Sequence, residues 1–183
     1  FIMLTLCSFS EELMLNRRTF IASVSLSPWV AQAAQNKPAT GVSRLPSRPR
    51  VISSDNGIRA VEKAMLVLKA AGSSLDAVVE GVTLVEDDPE DQGVGLGGLP
   101  NADGEVELDA SVMYGPTGAA GAVGALKSIR NPAKVARLIM QRTTRVFLVG
   151  EGALQFALAH GFQKENLLTE KSRLAWLKWK EEL

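Results

Sequence analysis

The run Glu86-Asp87-Asp88-Pro89-Glu90-Asp91-Gln92-Gly93-Val94-Gly95-Leu96-Gly97-Gly98-Leu99-Pro100-Asn101 decides between two folds. Gly93, Gly95 and Gly98 spell G-x-G-x-x-G, the letters of a dinucleotide-binding turn. That turn needs a strand just before it and, just after it, a helix whose N-terminal amides hold pyrophosphate. Here a row of carboxylates precedes the glycines, where it would repel phosphate, and Leu99-Pro100-Asn101 leads into a turn. A nucleotide-dependent oxidoreductase is therefore the weakest functional reading. Four glycines in six residues, walled by a helix and a strand, instead let backbone approach something closely. Residues 93–98 read as a tight loop facing an active site, lined by Gly95, Gly97 and Gly98.

On either side of this loop the chain alternates helices and strands. Val51-Ile52-Ser53-Ser54 followed by Asp55-Asn56-Gly57 reads as a strand entering a turn. Val61, Ala64, Met65, Leu68 and Ala71 repeat at helical spacing, with Gly72 placed as the left-handed residue that ends the helix. Ser73-Ser74-Leu75-Asp76 carries a helix-start signal, and Leu75, Val78, Val79, Val82 and Val85 form the stripe of the helix it opens. After the turn Asn101 to Gly104, Val106, Leu108, Ala110 and Val112 alternate with Glu105, Glu107, Asp109 and Ser111, the pattern of a half-buried strand. Ala119 to Leu126 is a partner strand, Asn131-Pro132 opens a helix, and Val146 to Val149 reads as a buried strand. A helix carrying Leu154, Ala157 and Leu158 closes at Gly161, and Thr169 caps a last one with Leu174 and Trp176. This is an α/β or α+β layered domain whose strand order the pattern leaves open.

Composition narrows the chemistry. At 183 residues the chain holds one domain with a real core. Lysine plus arginine equal aspartate plus glutamate at 20 each, so no cationic excess exists for nucleic acid or an anionic membrane. One cysteine, Cys7, and one histidine, His160, cannot build a zinc cage or a Cys-His dyad, and His160 reads as a helix-end residue. No metal or other cofactor is expected. Asp109 and Asp76 are tempting carboxylates, but each is expected to satisfy backbone amides.

Residues 1–35 read as an address. From about Met14, Asn16-Arg17-Arg18-Thr19-Phe20-Ile21 gives a paired-arginine start, Phe20 to Val30 a short apolar stretch, and Ala31-Gln32-Ala33 a cleavage site. This is a twin-arginine-like export signal, too short and serine-rich to anchor the chain in a bilayer. Residues 36–50 form a linker, and residues 51–183 form the folded domain. A mature region without cysteine suits an oxidising periplasmic or extracellular compartment.

Ser74-Leu75-Asp76-Ala77-Val78, Val85-Glu86-Asp87-Asp88-Pro89, Gly93 to Gly98, Asp103-Gly104 and Leu108-Asp109-Ala110-Ser111-Val112-Met113 together resemble, in that order, the α-subunit of glycosylasparaginase. Gly121-Ala122-Val123, Asn131-Pro132, Leu148-Val149-Gly150-Glu151-Gly152-Ala153 and His160-Gly161-Phe162 through Thr169 continue the similarity to the chain's end. The resemblance implies an α+β, four-layer αββα N-terminal-nucleophile hydrolase fold with only the α-subunit half present. It also implies a precursor that cleaves itself before a threonine, which then serves as nucleophile and, through its free amine, as its own base. No residue of this chain fills that role. The catalytic threonine is expected beyond Leu183, on a β-subunit from the same precursor, in a higher-order αβ oligomer. Thr143-Thr144 is no candidate, because it links a helix to a strand and lacks the preceding residues the family uses.

Glycosylasparaginases of the well-known type carry a tryptophan just after the first strand, where this chain has Ser54-Asp55-Asn56. Asp55 and Asn56 accordingly join Gly95, Gly97 and Gly98 as expected substrate-side residues. Glycan-linked asparagine, L-asparagine and β-aspartyl peptides all present the same β-amide carbonyl and stand as alternative substrates. A different class of function, a catalytically inert binding or structural domain, is the competing expectation.

Overall fold

The structure is a computed structural model that describes residues 48–182. The leader, with Cys7, Met14, Arg17-Arg18 and Ala31-Gln32-Ala33, most of the 36–50 linker and Leu183 lie outside the described residues. A single-turn 3-10 segment, Asp55–Gly57, precedes helices α1 (Ile58–Lys69) and α2 (Ser74–Glu86). The chain then forms strands β1 (Glu107–Tyr114) and β2 (Ala119–Lys127), helix α3 (Pro132–Arg142), strand β3 (Phe147–Val149), and helices α4 (Gly150–Ala159) and α5 (Glu170–Glu181). The three strands make one sheet in the order β1-β2-β3, antiparallel between β1 and β2 and parallel between β2 and β3. Mixed pairing with helices on one face makes the described region an α+β fold.

Alternation in β1 works as the sequence suggests. Ala110 turns toward Val123 and Leu126 of β2 and, beneath them, Val135 and Ile139 of α3 and Ala153, Leu154 and Ala157 of α4, while Leu108 joins Val106 and Leu167 in a second, smaller cluster. Gly121 lets α3 lie directly on the sheet, since a Cβ there would overlap the Ala136 carbonyl. The opposite face, carrying Asp109, Ser111, Met113, Ala120, Ala122, Gly124, Phe147 and Val149, is not covered by any described element. Met113 is 70%, Phe147 58% and Val149 54% exposed there.

Caps match their residues. The Ser73 hydroxyl accepts the Asp76 N–H at 3.0 Å, and the Thr169 hydroxyl accepts that of Ser172 at 3.3 Å. Gly161 has φ +89 and ends α4 with the paired bonds Gly161 N–H to Leu158 and Phe162 N–H to Ala157. His160 sits at that end as expected, its Nδ1 2.8 Å from the Phe156 carbonyl.

Three expectations need correction. Val51 to Ser54 is extended at Ser54 but is not a strand, because no described segment offers the hydrogen-bonding partner a strand requires; Ile52 is 95% exposed. The buried strand expected at 146–149 is β3, a three-residue edge strand with one neighbour and one covered face. The left-handed residue ending α1 is Ala71, at φ +62, rather than Gly72. Gly72 instead donates to Val67 at 2.9 Å, and its Cα lies so close to Val67 that a Cβ would fall 2.5 Å from the Cγ1 atom.

The stripe on α2 also divides. Leu75, Val79, Thr83 and Glu86 are buried, whereas Val78 and Val82 face outward. A helix apolar on two sides belongs between two layers.

Candidate functional site

The elements that bear on chemistry meet at the C-terminal end of α2. Its last residue, Glu86, is 1% exposed. Helix α3 begins at Pro132, and its cap residue Asn131 makes no capping bond with its own side chain. The Glu86 carboxylate supplies the cap from 47 residues away: Oε1 accepts the Ala133 N–H at 3.0 Å and Oε2 the Asn131 amide at 3.3 Å. A carboxylate at a helix N-terminus is favoured by the helix dipole. Burial still dominates and pushes its pKa up to about 7, against the bonds from Ala133 and Asn131 that favour the charged form.

The glycine loop folds back onto this same residue. Leu96 N–H donates to the Glu86 carbonyl at 2.8 Å, and Gly95, at φ +71, lies so close to the Glu86 backbone that any Cβ would collide with it. Gly97, at φ +94, passes the Pro89 carbonyl with room of only 2.7 Å for a Cβ. Both positions need glycine for conformation and for space. The close approach foreseen from the sequence is thus made to the chain's own backbone, and Gly95, Gly97 and Gly98 are all buried.

Asn56 and the loop are brought together. The Asn56 amide donates to Asp91 Oδ2 at 2.7 Å and accepts the Ser54 hydroxyl at 2.7 Å, while Asp91 Oδ1 takes the Gly93 N–H at 2.8 Å. This chain of bonds ties the turn after Ser54 to the lip of the loop. Asp55 lies beside it, exposed. Between them runs a groove of about 310 Å³, with Ser53, Ser54 and Asn56 at its polar end and Val61, Val82 and Val94 among its apolar walls. A concave, mostly apolar surface with a few polar groups at one end is the usual form of a small-molecule site.

The two carboxylates set aside in the sequence take structural positions. Asp109 accepts the Ala125 N–H at 2.8 Å. Asp76 accepts the Ser73 hydroxyl at 2.6 Å and pairs with Arg137, and its pKa is held low, chiefly by the Ser73 bond and secondarily by Arg137. Thr143 spends its hydroxyl on the Ile139 and Arg145 carbonyls. Among the described residues no cluster of His, Cys, Asp and Glu could hold a metal ion.

Three residues of this region escape a reading by motif: Glu86, Asp91 and Ser172. Glu86 had a signal, because it continues the inward row Leu75, Val79, Thr83 at helical spacing. Asp91 and Ser172 act across 35 and 75 residues, and nothing local marks them.

Comparison with known proteins shows the family of the chain. The family model described as Asparaginase matches residues 42–183. The chain is 44% identical over 172 residues to the N(4)-(Beta-N-acetylglucosaminyl)-L-asparaginase of Elizabethkingia miricola, covering 90% of this chain and 49% of that protein. It is 41% identical over 136 residues to the isoaspartyl peptidase/L-asparaginase of Rattus norvegicus, covering 73% and 40%. With the plant-type L-asparaginase of Pyrococcus abyssi the identity is 45% over 112 residues, covering 61% and 36%. The chain spans about half the length, or less, of these curated relatives.

Proposed function

The chain belongs to the asparaginase family, and on that premise we propose that residues 51–183 are the α-subunit half of an amidohydrolase that cleaves the side-chain amide of asparagine derivatives. The substrate is glycan-linked asparagine, L-asparagine or a β-aspartyl peptide, the choice spanned by the names of its relatives. The nucleophile is an N-terminal threonine on a β-subunit released from the same precursor, with its own amine as base. Asp55, Asn56, Gly95, Gly97 and Gly98 form the α-side wall of that site, and the αβ units assemble further.

The observation that carries this reading is the uncovered sheet face. Met113, Phe147 and Val149 stand on it over a floor of Ser111, Ala122 and Gly124, and the Val78 and Val82 side of α2 is bare as well. A second sheet laid against these surfaces gives the four-layer αββα arrangement and buries apolar area that is worth about 25 cal/mol per Å². Export through the Arg17-Arg18 signal is part of the same proposal.

The test is to express the reading frame continued past Leu183 beside the 183-residue chain. The continued protein should split into two chains and hydrolyse at least one of the three substrates, and the 183-residue chain should hydrolyse none. An uncut continuation with full activity, or amidase activity in the short chain, overturns the proposal. Replacing Arg17 and Arg18 with lysine should retain the protein inside the cell; unchanged export would refute the signal.

A further inference from the structure

The loop between α2 and β1 is fastened twice, once to Glu86 and once to α5 and the segment entering it, and the second fastening includes a buried hydroxyl. Ser172 is 0% exposed. Its Oγ donates to the Gly97 carbonyl and receives the Gln92 amide at 3.4 Å. Gly97 N–H donates to the Leu167 carbonyl at 2.8 Å, so both backbone polar groups of Gly97 are held by the segment that leads into α5. Lys171 adds a bond to the Glu90 carbonyl at 2.8 Å.

Two features separate this contact from ordinary packing. A hydroxyl is costly to bury unless it is used, and this one is fully buried and spent on the loop. Gly97 also has no side chain of its own to fix its conformation. It has φ +94 in a turn closed by Gly98 N–H to the Gly95 carbonyl at 3.2 Å, and a glycine there can rotate its flanking peptides at little steric cost.

We infer that Ser172 is a positioning residue, one that fixes the peptide orientation of the glycine loop from the first turn of α5. This inference rests on the reading of that loop as a wall of the substrate site. The loop's geometry is then set by a helix 75 residues away in sequence, and a displacement of the first turn of α5 moves the loop with it.

The test compares Ser172→Ala, which removes the donor, with Ser172→Thr, which keeps it. In the 183-residue chain, amide exchange at Leu96, Gly97 and Gly98 should quicken about tenfold in Ser172→Ala while Val135 and Ile139 in α3 keep their protection, as expected for a local opening. In the continued, self-cleaved protein, kcat/KM per titrated active site should fall about tenfold in Ser172→Ala and recover in Ser172→Thr. Equal loss of protection in the loop and in α3, or unchanged exchange at Gly97, overturns the inference. Normal turnover per site in Ser172→Ala, with the local exchange change present, would overturn it as well. A wild-type continued protein without any amidase activity refutes the proposed function instead, and the exchange measurement then decides the role of Ser172 alone.

Discussion

The Asp109 carboxylate accepts the backbone N–H of Ala125 at 2.8 Å, across a break in the register of β1 and β2. Leu108 pairs with Leu126 and Ala110 with Val123, so Asp109 alone stands opposite two residues, Gly124 and Ala125. Ala125 takes up the extra length at φ +49, a conformation that costs an alanine roughly 1 kcal/mol or more. Asp109 satisfies the N–H that the bulge withdraws from the ladder. Asp109→Ala should therefore destabilise by about 1 kcal/mol and Ala125→Gly stabilise by about as much, both read from the urea midpoint at constant slope.

Helix α1 offers a second strained alanine. Ala71, at φ +62, occupies the left-handed position of a helix end whose two bonds, Ala71 N–H to Leu68 and Gly72 N–H to Val67, are both made. Ala71→Gly should raise stability by about 0.5 to 1 kcal/mol, because relief of strain exceeds the added freedom of the unfolded chain. Gly72→Ala should lower it, since the new Cβ meets Val67. Thermal melts of the two variants measured side by side check the opposite signs.

The buried carboxyl of Glu86 makes stability depend on pH in the direction opposite to that of most acidic groups. Its pKa rises on folding from an ordinary 4.5 to about 7, so the folded chain holds a proton that the unfolded chain has released. Its favourable contribution is complete below about pH 4.5 and is lost as pH climbs through 7, a change on the order of 3 kcal/mol. Glu86→Gln keeps an acceptor for Ala133 N–H and removes the charge. It should be nearly neutral at pH 5 and stabilising at pH 8, and parallel pH profiles for the two proteins would refute the assignment.

The glycines of the loop and of the following turn should rank by what surrounds them. A Cβ at Gly95 collides with the Glu86 backbone, which cannot yield without unseating α2. At Gly104, with φ +85, the same atom meets the Trp176 ring at 3.3 Å, where a side chain can shift. Gly95→Ala should cost about 3 kcal/mol or more and Gly104→Ala about 1 to 2 kcal/mol. Equilibrium unfolding of both variants in urea decides the order.

Local signals carried most of the secondary structure. Thr169, Ser73, Pro132 and Gly161 mark helix ends by their own chemistry, and the alternation from Val106 to Val112 shows one face of β1. Features that depend on remote groups were not legible. The cap of α3 comes from Glu86 and not from Asn131, which the sequence places at that cap. The apolar run at Val51 promised a strand and that at Val146 a buried strand, yet pairing and burial depend on neighbours that the described residues do not supply. For the candidate site, glycine density correctly marked a close backbone approach. It could not say that the approached surface is the carbonyls of Glu86 and Pro89, or that Asp91 would link Asn56 to the loop.

The bare sheet face also has a colloidal consequence. With 20 acidic and 20 basic side chains the chain has no formal net charge near neutral pH, so no long-range repulsion holds two copies apart. Phe147 and Val149 stand exposed on β3, whose outer edge carries no described partner, and such an edge is a template on which another strand can form. Kept alone in solution, the chain should lose solubility as its concentration rises, soonest near neutral pH. A few added carboxylates at exposed positions should restore it more effectively than any gain in folding stability.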